Sequence, residues 1–324
     1  MSKIFVTGVL PGDALERLGQ FCELDTWSSS EPLSVEVLSE RLQGCSGLLC
    51  MLTNRINAAL LDANPQLRWV SSMSVGVDHI DLPELTSRGI AVGNTPGVLV
   101  DTTADLTFAL LLAAARRIPE ADSYIRDGRW RADQAWSPTM LTGKDVSGAT
   151  LGIIGLGEIG QAVARRAQGF GMRVLGWTRS GRQVPSVETM GLDELLANAD
   201  FVSVNVALTA ATRGLLDAEA IAKMKPGAVL VNTARGGIVD EAALATALAE
   251  ERLYAAGIDV FAREPVALDN PLLALPNVVV APHIGSASSA TREQMAGLAA
   301  DNLIAALTGE PMPHCVNPEV YPRL

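Results

Sequence analysis

A glycine-rich loop near the middle of the chain stands between a strand predicted over 151–155 and a helix predicted over 159–170. A second apolar strand is predicted over 173–177. The loop fits G-x-G-x-x-G, whose glycines permit a tight turn, close approach of the backbone to a pyrophosphate, and close packing of helix on strand. Its residues are Gly155, Leu156, Gly157, Glu158, Ile159 and Gly160. The segment predicts the first βαβ unit of a dinucleotide-binding fold; a strand–helix turn without a ligand is the alternative.

The second half of the chain continues this alternation of strands and helices. Four further strands are predicted, over 201–206, 229–232, 255–260 and 278–281. Six such strands, buried on both faces and joined by crossover helices, are typical of a doubly wound parallel sheet. The chain has 324 residues, of which 48% are hydrophobic and 19% charged, so it has room for about two globular domains.

The first hundred residues alternate in the same way and predict a smaller parallel sheet. Its strands are predicted over 4–7, 47–52, 69–73 and 90–92, and its helices over 33–42 and 82–88. A last helix, predicted over 287–307, is long enough to return to this sheet. We therefore expect an α/β fold with two parallel sheets: a nucleotide-binding domain over 102–285 and a discontinuous domain over 1–101 and 286–324.

A helix predicted over 102–118 is apolar almost all round, which requires it to be buried. Thr102 and Asp105 form a capping-box pattern at its expected start. The sequence leaves two places for such a helix, the core of its own chain or an interface between subunits.

The end of the strand over 173–177 bears on which dinucleotide binds. A loop that binds NAD normally has Asp or Glu about 20 residues beyond the glycines, where it contacts the adenosine ribose. Here hydroxyl and guanidinium groups follow the strand instead, on Thr178, Arg179, Ser180 and Arg182. Guanidinium groups pair with a 2′-phosphate, whereas a carboxylate repels it. The loop therefore indicates a preference for NADP(H), with NAD(H) still usable; a solvated basic loop is the alternative.

Three charged residues follow the last three strands predicted in the second half. Arg235, Glu264 and His283 each come shortly after one of them, where ligands bind in open α/β sheets. Arginine holds an anion and polarises a carbonyl, while histidine gives a proton near neutral pH. A carboxylate bonded to the imidazole fixes its orientation and favours its protonated form. Singly, each residue has a surface or structural explanation; together they predict a site for carbonyl reduction.

Charge and composition exclude several other classes. The net charge of −11 argues against binding nucleic acid through a broad basic surface. No apolar run approaches the ~20 residues of a membrane span, and the N-terminus lacks the pattern of a signal peptide. The four cysteines show neither metal-binding spacing nor a disulfide framework, so we expect a cytoplasmic protein without a metal.

At this point the sequence resembles the D-isomer-specific 2-hydroxyacid dehydrogenases over nearly its whole length. Within that family it is most similar to the glyoxylate/hydroxypyruvate reductase and 2-ketogluconate reductase branch. The segments that carry the resemblance are SVGVDHID (74–81), NTPGVLVDTTAD (94–105), LGIIGLGEIGQAVARR (151–166), KMKPGAVLVNTARGGIVDEAAL (223–244), AAGIDVFAREP (255–265), LPNVVVAPHIGSAS (275–288) and CVNP (315–318).

The resemblance implies a Rossmann nucleotide-binding domain and a flavodoxin-like substrate domain. It implies that Arg235 contacts a 2-keto acid and that His283, paired with Glu264, is the acid/base. It also implies further contacts. For the substrate these are Val75, Gly76 and, as a weaker candidate, Arg292; for the cofactor they are Thr103, Thr233, Ala234, Asp259, His283 and Gly285. The expected activity is NADPH-dependent reduction of glyoxylate, hydroxypyruvate or 2-ketogluconate to a D-2-hydroxy acid.

The family also implies a homodimer formed through the nucleotide-binding domain, which accounts for an apolar helix over 102–118. The loop Trp136–Met140 loosely matches a segment that closes over the partner's site in related reductases. Two other functions stay open at this stage. One is another NAD-dependent specialist of the family, a phosphoglycerate or phosphite dehydrogenase; the other is a dinucleotide-sensing scaffold without catalysis.

Overall fold

A computed structural model describes residues 1–29, 31 and 33–321 of the chain. The chain divides into two compact units. The first comprises Met1–Leu99 and the segment that begins at Ser286, and the second comprises Val100–Gly285. The expected boundary between residues 101 and 102 lies inside a helix, because that helix begins at Val100.

The first unit begins with five short strands and four helices. The strands are β1 (Lys3–Val6), β2 (Glu23–Thr26), β3 (Gly47–Cys50), β4 (Trp69–Ser72) and β5 (Ala91–Gly93). The helices are α1 (Ala14–Gly19), α2 (Val35–Arg41), α3 (Ala58–Ala63) and α4 (Leu82–Ser87).

All pairs in the first sheet are parallel, in the order β2-β1-β3-β4-β5. This is the strand order of flavodoxin-like folds. Strand β2 is missing from the sequence prediction. Its four residues, ELDT, are exposed or half-buried at the edge of the sheet, so they contain no apolar run.

The second unit contains seven strands and six helices. Its helices are α5 (Val100–Ala115), α6 (Ile118–Arg126), α7 (Glu158–Gly169), α8 (Leu192–Asn198), α9 (Ala218–Lys223) and α10 (Glu241–Ala249). Its strands are β6 (Thr150–Ile154), β7 (Arg173–Trp177), β8 (Glu188–Thr189), β9 (Phe201–Val204), β10 (Val229–Asn232), β11 (Ala255–Ile258) and β12 (Val278–Val280). The chain then returns to the first unit as α11 (Ser289–Leu307).

The second sheet is also wholly parallel, in the order β12-β11-β10-β9-β6-β7-β8. It has one strand more than the six predicted, because β8 contains only two residues and has no hydrophobic signature. The strand order reverses between β6 and β9, and doubly wound folds bind dinucleotides at such a point.

Helix α5 is buried within the second unit, against β10, β11 and α7. It approaches β11 closely: a Cβ atom on Gly257 would lie 2.9 Å from the Cβ atom of Leu110. The capping box expected at Thr102 is wrong, since the helix already begins at Val100. Eight residues of α5 therefore pack in the core of its own chain, whereas Leu106, Leu112 and Ala113 are half-buried and Ala109 is exposed.

Candidate active site

The glycine loop makes a tight connection between β6 and α7. Gly155 has φ +101°, which favours glycine, and its N–H donates to the carbonyl of Trp177 at 2.9 Å. A Cβ atom on Gly160 would overlap the carbonyl oxygen of Gly155, so α7 reaches the strand this closely only because this residue is glycine. The buried Leu156 side chain packs toward Gly176 of β7 and ties the loop to the sheet.

The N-terminus of α7 has the donors that a pyrophosphate requires. Gly157 is the N-cap residue and supplies no side-chain acceptor to the first turn. A Cβ atom on Gly157 would meet nothing within 4 Å, so open space faces the backbone there. Glu158 and Ile159 begin the helix, where N–H groups have no partner inside the helix. The loop therefore fits the pyrophosphate of a dinucleotide.

The loop after β7 presents two arginines to solvent. The Thr178 side chain closes the turn, because its Oγ1 accepts the N–H of Arg182 at 3.0 Å. Arg179, Ser180 and Arg182 are all exposed. Neither guanidinium forms an ion pair with a carboxylate of residues 1–29, 31 or 33–321. The strand that precedes this loop is joined to the glycine loop, because the Trp177 carbonyl accepts the N–H of Gly155.

Arg235 follows β10 in a turn fixed by Asn232. The Nδ2 atom of this almost fully buried asparagine donates to the Arg235 carbonyl at 2.9 Å, and its Oδ1 accepts the N–H of Ala234 at 3.0 Å. A Cβ atom on Gly236 would overlap the backbone of Phe261, so the segments after β10 and β11 lie against each other. Sequence reasoning missed the structural roles of both Asn232 and Gly236. The signal available in the sequence was an asparagine at the end of a buried strand, followed closely by an arginine and two glycines.

His283 and Glu264 form a close pair. Nδ1 of His283 lies 2.7 Å from Oε2 of Glu264, and Oε1 of Glu264 accepts the N–H of Phe261 at 2.9 Å. Burial works to raise the pKa of the Glu264 carboxyl, but these two hydrogen bonds and the charges of His283 and Arg235 lower it overall. The carboxylate thus stays charged and fixes the imidazole, leaving Nε2 of His283 without a partner among the described residues.

Asp259 secures the turn on which His283 lies. Its side chain is wholly buried, and its two oxygens accept the N–H groups of Ile284 and Gly285 at 2.7 and 2.9 Å. His283 has φ +54°, a left-handed conformation that is uncommon for residues other than glycine. Burial raises the pKa of Asp259, against the opposing effects of these two N–H groups and the nearby charge of His283.

The threonines expected near the cofactor lie around α5. Oγ1 of Thr233 is 2.8 Å from Oγ1 of Thr107, which donates to the carbonyl of Thr103. A Cβ atom on Gly285 would lie 3.4 Å from Cγ2 of Thr103 and 3.3 Å from a carboxylate oxygen of Asp259. The structure therefore brings Thr103, Thr233, Asp259 and Gly285 to the same end of the second sheet.

The expected substrate contacts of the first unit lie in two places. Val75 and Gly76 are half-buried in the loop after β4, and their N–H groups have no hydrogen-bond partner among the described residues. Arg292 is half-buried in the first turns of α11.

Within the described part of the chain, no group of three His, Cys, Asp or Glu side chains is arranged to hold a metal ion. In the same residues no helix is both long and apolar enough to cross a membrane.

Comparison with known proteins identifies the family. The family model "D-isomer specific 2-hydroxyacid dehydrogenase, NAD binding domain" matches residues 108–285. Glyoxylate reductase from Korarchaeum cryptofilum is 49% identical over 322 residues, 98% of this chain and 96% of its own. Glyoxylate reductase/hydroxypyruvate reductase from Homo sapiens is 44% identical over 324 residues, 97% of each chain.

A solved structure adds a comparison of the fold. The NADPH-dependent glyoxylate/hydroxypyruvate reductase from Sinorhizobium meliloti, in complex with NADP and malonate, is similar with a TM-score of 0.89 at 34% identity. The similarity covers 100% of this chain and 99% of the other. The chain belongs to the D-isomer-specific 2-hydroxyacid dehydrogenase family. It is an NAD(P)-dependent oxidoreductase, and its relatives support reduction of a 2-keto acid.

Proposed function

We propose that this protein is an NADPH-dependent reductase that converts glyoxylate, hydroxypyruvate and 2-ketogluconate to D-2-hydroxy acids. The observation that carries the proposal is the 2.7 Å pair of Glu264 and His283, whose free Nε2 is available to a substrate. The names of the relatives support the substrate class, since all three that were compared are named as glyoxylate or glyoxylate/hydroxypyruvate reductases.

In this proposal the protein supplies a proton and electrostatic stabilisation. The reduced nicotinamide, when bound, supplies the hydride that C2 of the keto acid accepts. His283 gives the proton from Nε2 to the carbonyl oxygen, and Glu264 stabilises the protonated imidazole beforehand. Arg235 binds the anionic substrate and polarises its carbonyl, which stabilises the developing negative charge on oxygen. These roles balance the reduction: one hydride and one proton convert the carbonyl to a hydroxyl.

The preference for NADP(H) rests on the loop after β7. Arg179 and Arg182 would bind the 2′-phosphate, supported by the hydroxyls of Thr178 and Ser180, while NAD(H) would bind more weakly. The absence of a carboxylate at residue 178 supports this choice. The Sinorhizobium meliloti enzyme, similar over the full chain, is named as NADPH-dependent and was solved with NADP.

Other residues would complete the two binding sites. The glycine loop Gly155–Gly160 would hold the pyrophosphate through backbone N–H groups. The nicotinamide end would contact Thr103, Thr233, Ala234, Asp259, His283 and Gly285. The substrate carboxylate would accept the N–H groups of Val75 and Gly76, with Arg292 as a further contact.

We also propose that the protein is a homodimer formed through the nucleotide-binding unit. Helix α6 buries none of its residues, and Ile118 and Ile125 are 55% and 58% exposed. Trp130 and Trp136, in the following segment, are 53% and 76% exposed. Apolar side chains this exposed, on one helix and the loop after it, are typical of a covered interface. The loop Trp136–Met140 would then reach the partner's site.

Four free thiols support a reducing compartment, the cytoplasm.

The first experiment follows absorbance at the reduced-nicotinamide band. Each of glyoxylate, hydroxypyruvate and 2-ketogluconate is incubated with the protein and either NADPH or NADH. Oxidation that favours NADPH supports the reductase and the phosphate site together, and the order of rates ranks the substrates. A preference for NADH overturns only the cofactor choice. Without oxidation in any combination, a phosphoglycerate or phosphite dehydrogenase or a dinucleotide-sensing scaffold becomes the better explanation.

A further inference from the structure

The loop after β4 has three consecutive carbonyl groups that are all hydrogen-bonded. The Ser74 carbonyl accepts the N–H of Thr95 at 3.0 Å. The Val75 carbonyl accepts Nδ2 of Asn94 at 2.9 Å, and the Gly76 carbonyl accepts Oγ of Ser74 at 2.7 Å. Two of the three donors are therefore side chains, and they fix a segment that belongs to no helix or strand.

These bonds determine the direction of three N–H groups. In a trans peptide the N–H points opposite to the carbonyl of the preceding residue. The bonded carbonyls of residues 74–76 therefore set the N–H directions of Val75, Gly76 and Val77. Within the described residues, none of these three N–H groups donates a hydrogen bond. Unpaired backbone donors with fixed directions are suited to an anion, which satisfies them when it binds.

Asn94, the donor to the Val75 carbonyl, is itself held by a closed set of hydrogen bonds. Its carbonyl accepts Nδ2 of Asn302 at 3.0 Å, and its N–H donates to the His314 carbonyl at 3.1 Å. The N–H of His314 donates to Oδ1 of Asn302 at 3.0 Å. Asn302 is wholly buried, and a Cβ atom on Gly93 would lie 2.6 Å from its Nδ2. The backbone at Asn94 thus has little freedom to move.

We propose that Asn94 is a positioning residue for substrate binding. It holds the Val75 carbonyl so that the N–H of Gly76 faces the substrate carboxylate, and Asn302 holds Asn94 in turn. This inference rests on the proposed function, because it assumes that the loop binds a keto acid. The carboxylate is bound both before and during hydride transfer, so weakening its site raises KM more than it lowers kcat.

The test is Asn94→Asp, which keeps the shape of the side chain but removes the N–H donor and sets a carboxylate against the Val75 carbonyl. We expect KM for glyoxylate to rise about tenfold or more, with kcat and KM for NADPH within about threefold of the parent. Asn64→Asp is the matched control. Asn64 is a buried asparagine of the same unit whose Nδ2 donates to the Leu60 carbonyl, away from the loop. Its variant is expected to change stability and leave KM unaltered.

The outcomes separate this inference from the proposed function. If the parent protein reduces glyoxylate and Asn94→Asp does so with a KM within twofold of the parent value, the positioning role alone is overturned. A parent that reduces none of the keto acids overturns the proposed function and, with it, the substrate assigned to the loop. Should Asn94→Asp fail to fold, Asn94→Ala removes the same donor without adding a charge and gives the same readout. A fall in kcat with KM unchanged also contradicts the role, since it indicates an effect on the chemical step rather than on substrate binding.

Discussion

Asp259 holds His283 through the backbone: the His283 N–H donates to the Asp259 carbonyl at 2.8 Å, while the Asp259 carboxylate accepts the N–H groups of the next two residues. Both carboxylate oxygens are thus engaged within the chain. The acid/base histidine that we propose has a left-handed φ of +54°, a conformation that persists only where its surroundings hold it. The wholly buried Asp259 carboxylate would in turn be costly without these hydrogen-bond donors. The aspartate therefore stabilises the conformation that presents the imidazole.

We expect Asp259→Asn to lower kcat about tenfold or more, because an amide NH2 would face one of the two N–H groups and release the His283 turn. Steady-state kinetics with NADPH and glyoxylate measure this loss. Asp200→Asn is the control, since Asp200 also accepts a backbone N–H, that of Thr150, but precedes β9. The Asp200→Asn variant should have an altered melting temperature and an unchanged kcat. Equal kcat in Asp259→Asn and the parent would show that the turn does not depend on this carboxylate.

Glu264→Gln should lower kcat about tenfold or more, because an amide does not hold the His283 imidazole as the carboxylate does at 2.7 Å. Stability provides a second readout. The pKa of Glu264 is lowered in the folded protein, so its contribution is present above the ordinary pKa and is lost as pH falls through the lowered value. Melting curves across the acid range should show this loss in the parent and not in the variant. Identical pH profiles would contradict the role of the pair.

Arg235→Ala should remove most keto acid reduction, since the anion contact and the carbonyl polariser are lost together. We expect kcat/KM to fall about a hundredfold or more. Arg235→Lys keeps the charge but not the forked geometry, so it should recover only part of the loss. Arg263→Ala serves as control, because Arg263 is an exposed arginine beside Glu264 in the sequence. Activity of Arg235→Ala within tenfold of the parent would exclude the proposed role.

Replacing both Arg179 and Arg182 by Ala should raise KM for NADPH about tenfold or more and leave KM for NADH nearly unchanged. The matched control is Arg173→Ala, at the start of β7, where the guanidinium already pairs with Glu188 at 2.6 Å. Thr178→Asp is the converse change and should favour NADH. If the double variant loses affinity for both dinucleotides equally, the arginines do not bind the 2′-phosphate.

If the proposed dimer forms through α6, a charge introduced on the exposed face of this helix should weaken the association. Ile125→Glu should shift the sedimentation coefficient toward that of a monomer, because a buried carboxylate without a partner opposes association. Leu268→Glu is the control: Leu268 is 95% exposed in the same unit, outside α6. A parent that sediments as a monomer at micromolar concentration would refute the dimer itself.

Much of the fold follows from hydrophobic patterning, because most strands of both sheets are buried apolar runs. Strands β2 and β8 could not be predicted, since each lies at a sheet edge and contains polar residues whose pairing depends on the neighbouring strand. The predicted start of α5 was wrong for a different reason. A capping pattern at Thr102 is local, whereas the helix extends two residues further back to Val100.

The charged residues of the candidate site could be picked out from sequence because strand ends are predictable positions for ligands. The residues that hold these charged side chains in place could not be predicted in this way. Asp259 has a strand-end position in the sequence, but only the contacts show that its oxygens face Ile284 and Gly285. Asn94 and Asn302 are separated by 208 positions, and no local pattern connects them.

The first sheet depends on residues that are synthesised long after its own strands. Asn317, wholly buried, accepts the N–H of Val92 at 2.8 Å and donates to the Ile90 carbonyl at 2.9 Å, which secures β5. During synthesis, residues 1–99 therefore emerge before α11 and Asn317 exist to cover them, and the whole nucleotide-binding unit is made in between. Such late, long-range closure slows folding. The nascent first sheet consequently waits for these contacts while residues 100–285 are synthesised, and that second unit, continuous in sequence, is able to fold before them.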